Sequence, residues 1–128
     1  MSLSLNTRKR EPQVTVIELG GRLTQNRESE QLETALRRAL DEGARRIVID
    51  LSQIAYIDSN GVGILIYCFN RIAQQNAQGA VVNAGGFVLD MFRATRESLV
   101  PVYSDLASAC EGFTEDPLGT ASVPVDIQ

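Results

Sequence analysis

The segment of the chain best suited to chemistry is residues 57–63 (IDSNGVG), which lies between a short apolar run and an amphipathic pattern of helical spacing. If a helix begins here, the hydroxyl of Ser59 lies at its N-terminus, where unpaired backbone N–H groups and the helix dipole favour negative charge. A phosphate on that hydroxyl needs no change of backbone. Alternatively, these residues have only a structural role, with Asp58 or Ser59 as the N-cap of the helix and Gly61 as a turn residue. Gly61 and Gly63 would also let the backbone of another protein approach closely.

The sequence offers little support for other kinds of reactive site. The chain has no His, which removes the commonest general base and zinc ligand, and no Lys adjoins Ser59 to activate it as a nucleophile. Asp50 and Asp58 belong to no carboxylate pattern of a glycosidase or metal site. Cys68, flanked by aromatic residues, is expected in the hydrophobic core. The glycine-rich loops that bind phosphate are absent from the sequence. We therefore expect no metal, no cofactor and no enzymatic activity.

The composition of the chain argues against some classes of protein. The 128 residues carry 12 basic and 16 acidic side chains, a net charge of −4, which argues against a nucleic-acid-binding surface. No apolar run approaches the ~20 residues of a membrane span, and residues 1–12 are too polar and basic for a signal peptide. We expect a cytoplasmic protein that does not enter a membrane, with one domain over residues 1–112 and an acidic, flexible tail over residues 113–128.

Runs of alternating or continuous apolar residues predict five short strands. The first is a weak edge strand marked by Leu3 and Leu5, and the others cover residues 14–19, 46–51, 80–83 and 100–103. Residues 46–51 (RIVIDL) are apolar enough for a central strand that is covered on both faces. Residues 9–12 are predicted to form a turn and residues 52–59 a connection, and the Gly20-Gly21 pair ends or bends the second strand.

Apolar side chains at helical spacing predict four helices, over residues 32–40, 61–78, 87–94 and 105–111. Asn26 stands where the N-cap of the first helix is expected, and Gly43 supplies the left-handed residue after its end. Gly79 is expected to end the second helix, and Ser104 or Asp105 to cap the last one. With the opening pair of strands, this order predicts an α/β fold. Its sheet is small, mixed and mostly parallel, with four to five strands packed by about four helices.

Three stretches of the sequence carry a family resemblance: residues 16–23 (VIELGGRL), 46–52 (RIVIDLS) and 57–65 (IDSNGVGIL). They resemble the signature of STAS domains, specifically those of bacterial anti-sigma factor antagonists. The resemblance extends over about residues 14–110, and the order of elements is similar too. The chain departs from the family pattern at Thr24, where Asp is frequent, and at Asn60, where Ser or Thr is frequent.

The resemblance implies that binding of this protein to its partner is switched by phosphorylation. In that family the antagonist binds an anti-sigma factor that is also an ATP-dependent serine kinase, and this binding releases a sigma factor. The kinase phosphorylates the serine after the motif aspartate, which ends the binding, and a serine phosphatase reverses the modification. On this chain the phosphorylated residue would be Ser59. Asp58 would orient the loop or meet the partner, while Asn60, Gly61 and Gly63 would shape the start of the helix.

The partner-binding surface implied by the resemblance combines this loop with the third predicted helix. Its expected residues are Asp58, Ser59, Asn60, Gly61, Val62, Phe87, Val88 and Phe92. The last three would supply apolar anchor area if exposed, and otherwise fill the core. Two other functions stay open: a STAS scaffold or adaptor that is not phosphorylated, of the stressosome or lipid-transport type, and a STAS domain that binds a small ligand or nucleotide. The chain is expected to be a monomer or a weak dimer.

Overall fold

The computed structural model describes residues 3–10, 13–24, 30–86, 90 and 101–113. Its strands are β1 (Leu3–Arg10), β2 (Val14–Leu23), β3 (Arg46–Ile57), β4 (Gln78–Val82) and β5 (Val102–Tyr103). Its helices are α1 (Glu30–Asp41), α2 (Ser59–Gln74) and α3 (Leu106–Gly112). Asn26 lies outside the described residues, and so does the helix predicted over residues 87–94 apart from Asp90.

The five strands form one sheet in the order β1-β2-β3-β4-β5. β1 and β2 are antiparallel, and every other neighbouring pair is parallel. This arrangement confirms the predicted α/β fold with a small, mixed and mostly parallel sheet. Parallel neighbours need a crossover connection, and α1 provides it between β2 and β3, as α2 does between β3 and β4. The carboxyl ends of β2 and β3 therefore meet at one edge of the sheet, where α2 begins.

Alternate residues of the strands belong to two hydrophobic cores on opposite faces of the sheet. On one face, Ile17 and Ile49 pack with the apolar stripes of α1 and α2. On the other face, Val16 and Val48 pack with Ala109 of α3. Residues 47–49 of β3 have no exposed surface, which confirms the prediction of a central strand covered on both sides. The sheet is thus a rigid platform for the loop at the start of α2.

Two of the predicted helix ends are confirmed by the backbone. Gly43 follows α1 in the left-handed region (φ 98°), and its N–H donates to the carbonyl of Leu40 at 3.0 Å. Asp105 is the N-cap of α3, and its carboxylate accepts the N–H of Ser108 at 2.8 Å. Asp105, rather than Ser104, therefore caps the last helix.

β3 is longer than predicted. Residues 52–57 are expected to be part of a connection, but the strand continues to Ile57. Its register against β2 shifts between Glu18 and Gly20, and again between Gly21 and Arg22. Such irregularities interrupt the two-residue alternation by which a strand is recognised in a sequence. The Gly20-Gly21 pair accordingly bends β2 without ending it.

The prediction that Gly79 ends the second helix is wrong. α2 ends at Gln74, and Asn76 takes the left-handed conformation that follows it (φ 58°). Gly79 lies in β4, where a Cβ atom would stand 2.6 Å from the ring of Phe69. The missing side chain lets α2 pack closely on β4, and β4 begins earlier than predicted, at Gln78.

β1 also runs further than predicted. Lys9 and Arg10, expected in a turn, are the last residues of the strand and pair with Thr15 and Val14 of β2. The left-handed conformation needed for the chain reversal is taken by Gln13 (φ 59°). The opening pair of strands is therefore a long hairpin, whose far end carries the basic residues of the N-terminal segment.

Candidate functional site

Asp58 fixes the first turn of α2 at the edge of the sheet where β3 ends. It is the N-cap of the helix and has extended backbone angles (φ −115°, ψ −174°). Its carboxylate oxygen Oδ1 accepts the N–H of Gly61 at 2.9 Å, and its carbonyl accepts the N–H of Val62 at 3.0 Å. Of the two residues that the sequence offered as an N-cap, the structure thus selects Asp58 and leaves Ser59 without that role.

Ser59 is the first residue of α2 and is exposed to solvent. Its hydroxyl makes no hydrogen bond with any other residue in the described part of the chain. Asn60, the next residue, is exposed as well. The N–H groups of the first helical turn and the positive end of the helix dipole favour a negative charge at this place. The site can therefore accept an anionic group on Ser59 without losing a contact that holds the fold.

Gly61 and Val62 form the inner side of the same turn. Val62 is only 3% exposed and belongs to the core, so its side chain supports the loop from below. A Cβ atom at Gly61 would overlap the carbonyl oxygen of Leu23 at the end of β2. Gly61 therefore serves close packing within this chain, and the expectation that it admits a partner's backbone is wrong. Gly63 is exposed and has no atom within 4 Å of a Cβ built on it, so a partner could approach there.

The exposed side of α2 continues from Ser59 along one line of residues. Residues four apart in a helix share a face, and Ser59, Gly63 and Tyr67 are all exposed. Tyr67 is 45% exposed, and Nη1 of Arg71 donates to its hydroxyl at 3.2 Å. We call these four residues the α2 face. Because α2 contains no Asp or Glu, this face offers hydroxyl, aromatic and cationic groups without a carboxylate of its own.

A second exposed aromatic side chain lies just before the loop. Tyr56 is 45% exposed, and it is paired with Arg22 of the neighbouring strand β2. The guanidinium carbon of Arg22 lies 4.4 Å from the centroid of the tyrosine ring, in the range of a cation–π interaction. Sequence reasoning missed both residues, because the contact depends on a strand register that the bulges in β2 and β3 alter.

The other reactive groups in the chain have structural surroundings. Asp50 accepts hydrogen bonds from Nδ2 of Asn83 at 3.0 Å and from the N–H of Ser52 at 2.9 Å. Cys68 is buried in the core, as predicted, and this burial raises the pKa of its thiol to about 12. In the described ranges, no three His, Cys, Asp or Glu residues come together in a group that could hold a metal ion. No helix in the described part of the chain has the length and hydrophobicity needed to cross a bilayer.

The structure thus brings one part of the predicted partner surface together. Asp58 through Val62 form a single turn, in which Ser59 and Asn60 face solvent and the residues on either side hold the backbone. The other part, Phe87, Val88 and Phe92, lies outside the described residues, and its exposure stays a prediction.

Comparison with known proteins places this geometry in a family. The model of the STAS domain family matches residues 6–109 of the chain. The chain is also similar to BtrV of Bordetella bronchiseptica, whose name assigns it provisionally to the anti-sigma factor antagonists. The two are 28% identical over 86 residues, which cover 66% of this chain and 74% of BtrV.

Solved structures share the fold at low sequence identity. An anti-sigma factor antagonist from Mycobacterium paratuberculosis superimposes with a TM-score of 0.68 at 20% identity, over 86% of this chain and 92% of that one. The anti-sigma factor antagonist SpoIIAA in its unphosphorylated form gives 0.66 at 16% identity, over 84% and 94%. Its phosphorylated form, from Bacillus, gives 0.66 at 16% identity, over 84% and 96%. Since the family model spans the chain from β1 to α3, the chain belongs to the STAS domain family.

Proposed function

We propose that this chain is an anti-sigma factor antagonist whose binding to its partner is switched off by phosphorylation of Ser59. The position of Ser59 carries the proposal: the residue is exposed, it begins α2, and its hydroxyl is not used by the fold in the described part of the chain. The similarity to BtrV supports the proposed class of function. The fold shared with SpoIIAA, which is known in a phosphorylated form, supports the proposed means of control.

A phosphate on Ser59 would leave the domain folded. The hydrogen bonds that start α2 come from Asp58 and not from the serine. The helix dipole stabilises a negative charge at the first turn by about 0.3–1 kcal/mol when the site is exposed. The phosphate would therefore change the surface that the loop presents to a partner and leave the fold unchanged. A reversible switch requires both.

The same phosphate would change the surface that a partner meets. It adds about −1.5 to −2 charges and three acceptor oxygens at neutral pH, directly beside the carboxylate of Asp58. The unmodified α2 face has aromatic and cationic groups and no carboxylate, so it fits an apolar or acidic surface on the partner. Such a surface would be repelled by the phosphate or would have to desolvate it, and either effect weakens binding.

In this proposal the chain is a protein substrate and not an enzyme. The partner is an anti-sigma factor with serine kinase activity, and its binding to the unmodified chain releases a sigma factor in the cytoplasm. The kinase transfers the γ-phosphoryl group of ATP to Oγ of Ser59, the hydroxyl proton passes to a base on the kinase, and ADP leaves. A serine phosphatase hydrolyses the phosphoserine with water and restores the hydroxyl and free phosphate.

The proposal is tested by capture of partners from host lysate with the wild type, Ser59→Ala and Ser59→Asp. The matched control is Ser104→Asp, because Ser104 is also an exposed serine beside an aspartate N-cap, at α3. We expect an ATP-dependent kinase to be retained by the wild type, by Ser59→Ala and by Ser104→Asp, and to be lost with Ser59→Asp. Incubation of the captured kinase with ATP should add one phosphate to the wild type and none to Ser59→Ala, as measured by intact-mass spectrometry.

A different result would favour a different function. If Ser59→Asp retains the same partners as the wild type, and no mass is added with ATP, then Ser59 is not a switch. The chain would then be a STAS scaffold or adaptor that works without phosphorylation.

A further inference from the structure

β1 is an edge strand with no second neighbour in the sheet. It is the first strand of the order β1-β2-β3-β4-β5, and all of its residues pair with β2. In the described part of the chain, no backbone hydrogen bond joins β1 to any other element. Half of the N–H and carbonyl groups of such a strand point away from its neighbour. β1 therefore presents a row of unpaired backbone groups to which another extended chain can bind.

A groove lies beside this edge, between β1 and α1, and has a volume of about 280 Å³. Leu5, Thr7 and Lys9, alternate residues of β1 that share one face of the strand, form one side of it. Ala35 and Ala39 of α1 form the other side, and their short side chains leave space between strand and helix. A cavity of about 150 Å³ already accommodates benzene, so the groove has room for an aliphatic side chain.

We propose that this edge and groove bind an extended peptide of a partner protein, with an aliphatic and an acidic side chain two residues apart. The peptide would lie beside β1 as a sixth strand, held by backbone hydrogen bonds. Every second side chain of a strand points to the same face, so both side chains would point toward α1. The aliphatic one would lie in the groove against Leu5 and Thr7, and the acidic one would lie near Lys9.

The charges around the groove favour an acidic side chain in that peptide. Lys9 and Arg38 line the groove and are exposed, and in the described part of the chain neither has an ion-pair partner. Arg8, by contrast, forms an ion pair with Glu18 at 2.8 Å and lies outside the groove. The carboxylate of Glu42, which is exposed, also lines the groove and opposes an acidic ligand. Two cations against one carboxylate leave the groove positive in a chain of net charge −4.

A second copy of the chain fits the same edge less well than an acidic peptide does. Residues 8–10 (RKR) of its own β1 would bring three more cations to an edge that already carries three. Like charges brought together in this way repel each other. Charged residues on edge strands, lysine above all, are a usual means by which proteins prevent edge-to-edge pairing of identical chains. We therefore assign the edge to a partner of different sequence.

The test is NMR titration of the whole ¹⁵N-labelled chain with the synthetic peptide acetyl-Thr-Val-Thr-Glu-Thr-Val-Thr-amide. Valine stands two residues to either side of the glutamate, so the peptide can pair in either strand direction. We expect saturable shifts confined to β1, α1 and the start of β2, with a dissociation constant of about 0.5 mM. The peptide with lysine in place of glutamate should bind about fivefold more weakly. Of two versions N-methylated on alternate amides, one should fail to bind, because only alternate N–H groups of a strand face a given neighbour.

Variants of the chain test the groove itself. Ala35→Leu should weaken binding about fivefold or more, because leucine fills the groove; Thr34→Leu is its matched control, since Thr34 is exposed on α1 and does not line the groove. Arg38→Gln should weaken binding about threefold, with Arg37→Gln, exposed and outside the groove, as control. Glu42→Gln should tighten binding about twofold. Circular dichroism of each variant establishes that it is folded.

Three outcomes would overturn the proposal. One is the absence of saturable shifts up to about 5 mM peptide, a concentration that would detect even millimolar affinity. Another is equal binding of the unmodified peptide and both N-methylated versions, since the peptide would then not be paired as a strand. The third is a dimer of the free chain in analytical ultracentrifugation that the peptide dissociates, because the edge would then belong to a second copy. None of these measurements involves the kinase, so their results do not depend on Ser59 being a switch.

Discussion

The carboxylate of Asp58 accepts the backbone N–H of Gly61 at 2.9 Å. Asp58 and its neighbour Ser59 therefore have different roles. Asp58 holds the first turn of α2 from within the chain. Ser59, one position further on, presents its hydroxyl to solvent without holding anything in the described structure. The proposed modification of Ser59 would therefore alter binding while the fold is retained, whereas a change at Asp58 acts on the fold itself.

Replacement of Asp58 by Ala should destabilise the domain, because the N–H of Gly61 loses its acceptor. We expect the free energy of unfolding to fall by about 1 kcal/mol, the usual cost of losing an N-cap. Asp58→Asn should keep most of the stability, since its side-chain oxygen can accept the same bond. Urea unfolding followed by circular dichroism measures the difference. If Ser59→Ala lowered the stability as much as Asp58→Ala, the assignment of the two roles would be wrong.

The two glycines of the first turns should respond oppositely to the same substitution. Gly61→Ala places a Cβ against the carbonyl of Leu23, and such overpacking should cost about 2 kcal/mol or more. Gly63→Ala meets no atom within 4 Å and gains the better helix propensity of alanine, so it should raise stability by about 0.5–1 kcal/mol. Thermal unfolding of both variants tests this, and equal effects of the two substitutions would contradict the packing described for Gly61.

The stability of the hairpin should depend on pH through Glu18. Arg8 donates to one oxygen of its carboxylate at 2.8 Å and Asn6 to the other at 3.0 Å. These bonds, that of Arg8 first, lower the pKa of Glu18 below its ordinary value of 4.5. The folded state therefore binds the proton more weakly than the unfolded state. The stabilising contribution is present at pH values above the unfolded pKa and is lost as the pH falls through the folded pKa.

We accordingly expect wild type to be slightly more stable than Glu18→Gln at pH 7, and this advantage should shrink as the pH drops below 4.5. Denaturant unfolding of both proteins across the acid range gives the difference at each pH. In an Arg8→Gln background the same comparison should show a much weaker dependence on pH. A difference that stays constant from neutral to acid pH would contradict the role given to the Arg8–Glu18 ion pair.

Tyr67 should contribute to partner binding more than to stability. It is 45% exposed on the α2 face, and exposed tyrosines are frequent anchors of interfaces. We expect Tyr67→Ala to weaken binding of the captured kinase about tenfold, with a change in unfolding free energy of at most about 0.5 kcal/mol. Tyr56→Ala is the matched control, because Tyr56 is equally exposed but lies on β3. If Tyr56→Ala weakened binding of the kinase more than Tyr67→Ala, the partner-binding surface would lie on the sheet and not on the helix.

The parts of the fold that could be predicted are those in which burial follows a regular period. The apolar stripe of α1 and the continuous apolar run of residues 46–51 have the patterns of an amphipathic helix and of a doubly covered strand, and both are observed. The loop with Asp58 and Ser59 could be found because polar residues and glycines interrupt two apolar segments there. In these places local sequence and tertiary environment favour the same structure.

The parts that could not be predicted depend on contacts between distant residues. Gly79 is a residue type that often follows the end of a helix. Here, however, glycine is needed because the ring of Phe69 packs against β4 at this position. The stacking of Arg22 on Tyr56 depends on the register between two bulged strands. Hydrophobic periodicity describes how one element faces the core and contains no information on such pairings.

The most direct test of the proposed switch is the affinity of the captured kinase for the chain with phosphoserine incorporated at position 59, compared with the unmodified chain. Calorimetry or surface plasmon resonance gives both dissociation constants, and circular dichroism establishes that the modified chain has the same fold. We expect the phosphate to weaken binding by about a hundredfold or more, a loss of about 2.7 kcal/mol, with the fold unchanged. Affinities within about twofold of each other would contradict the central claim, because Ser59 would then be exposed without controlling the interaction.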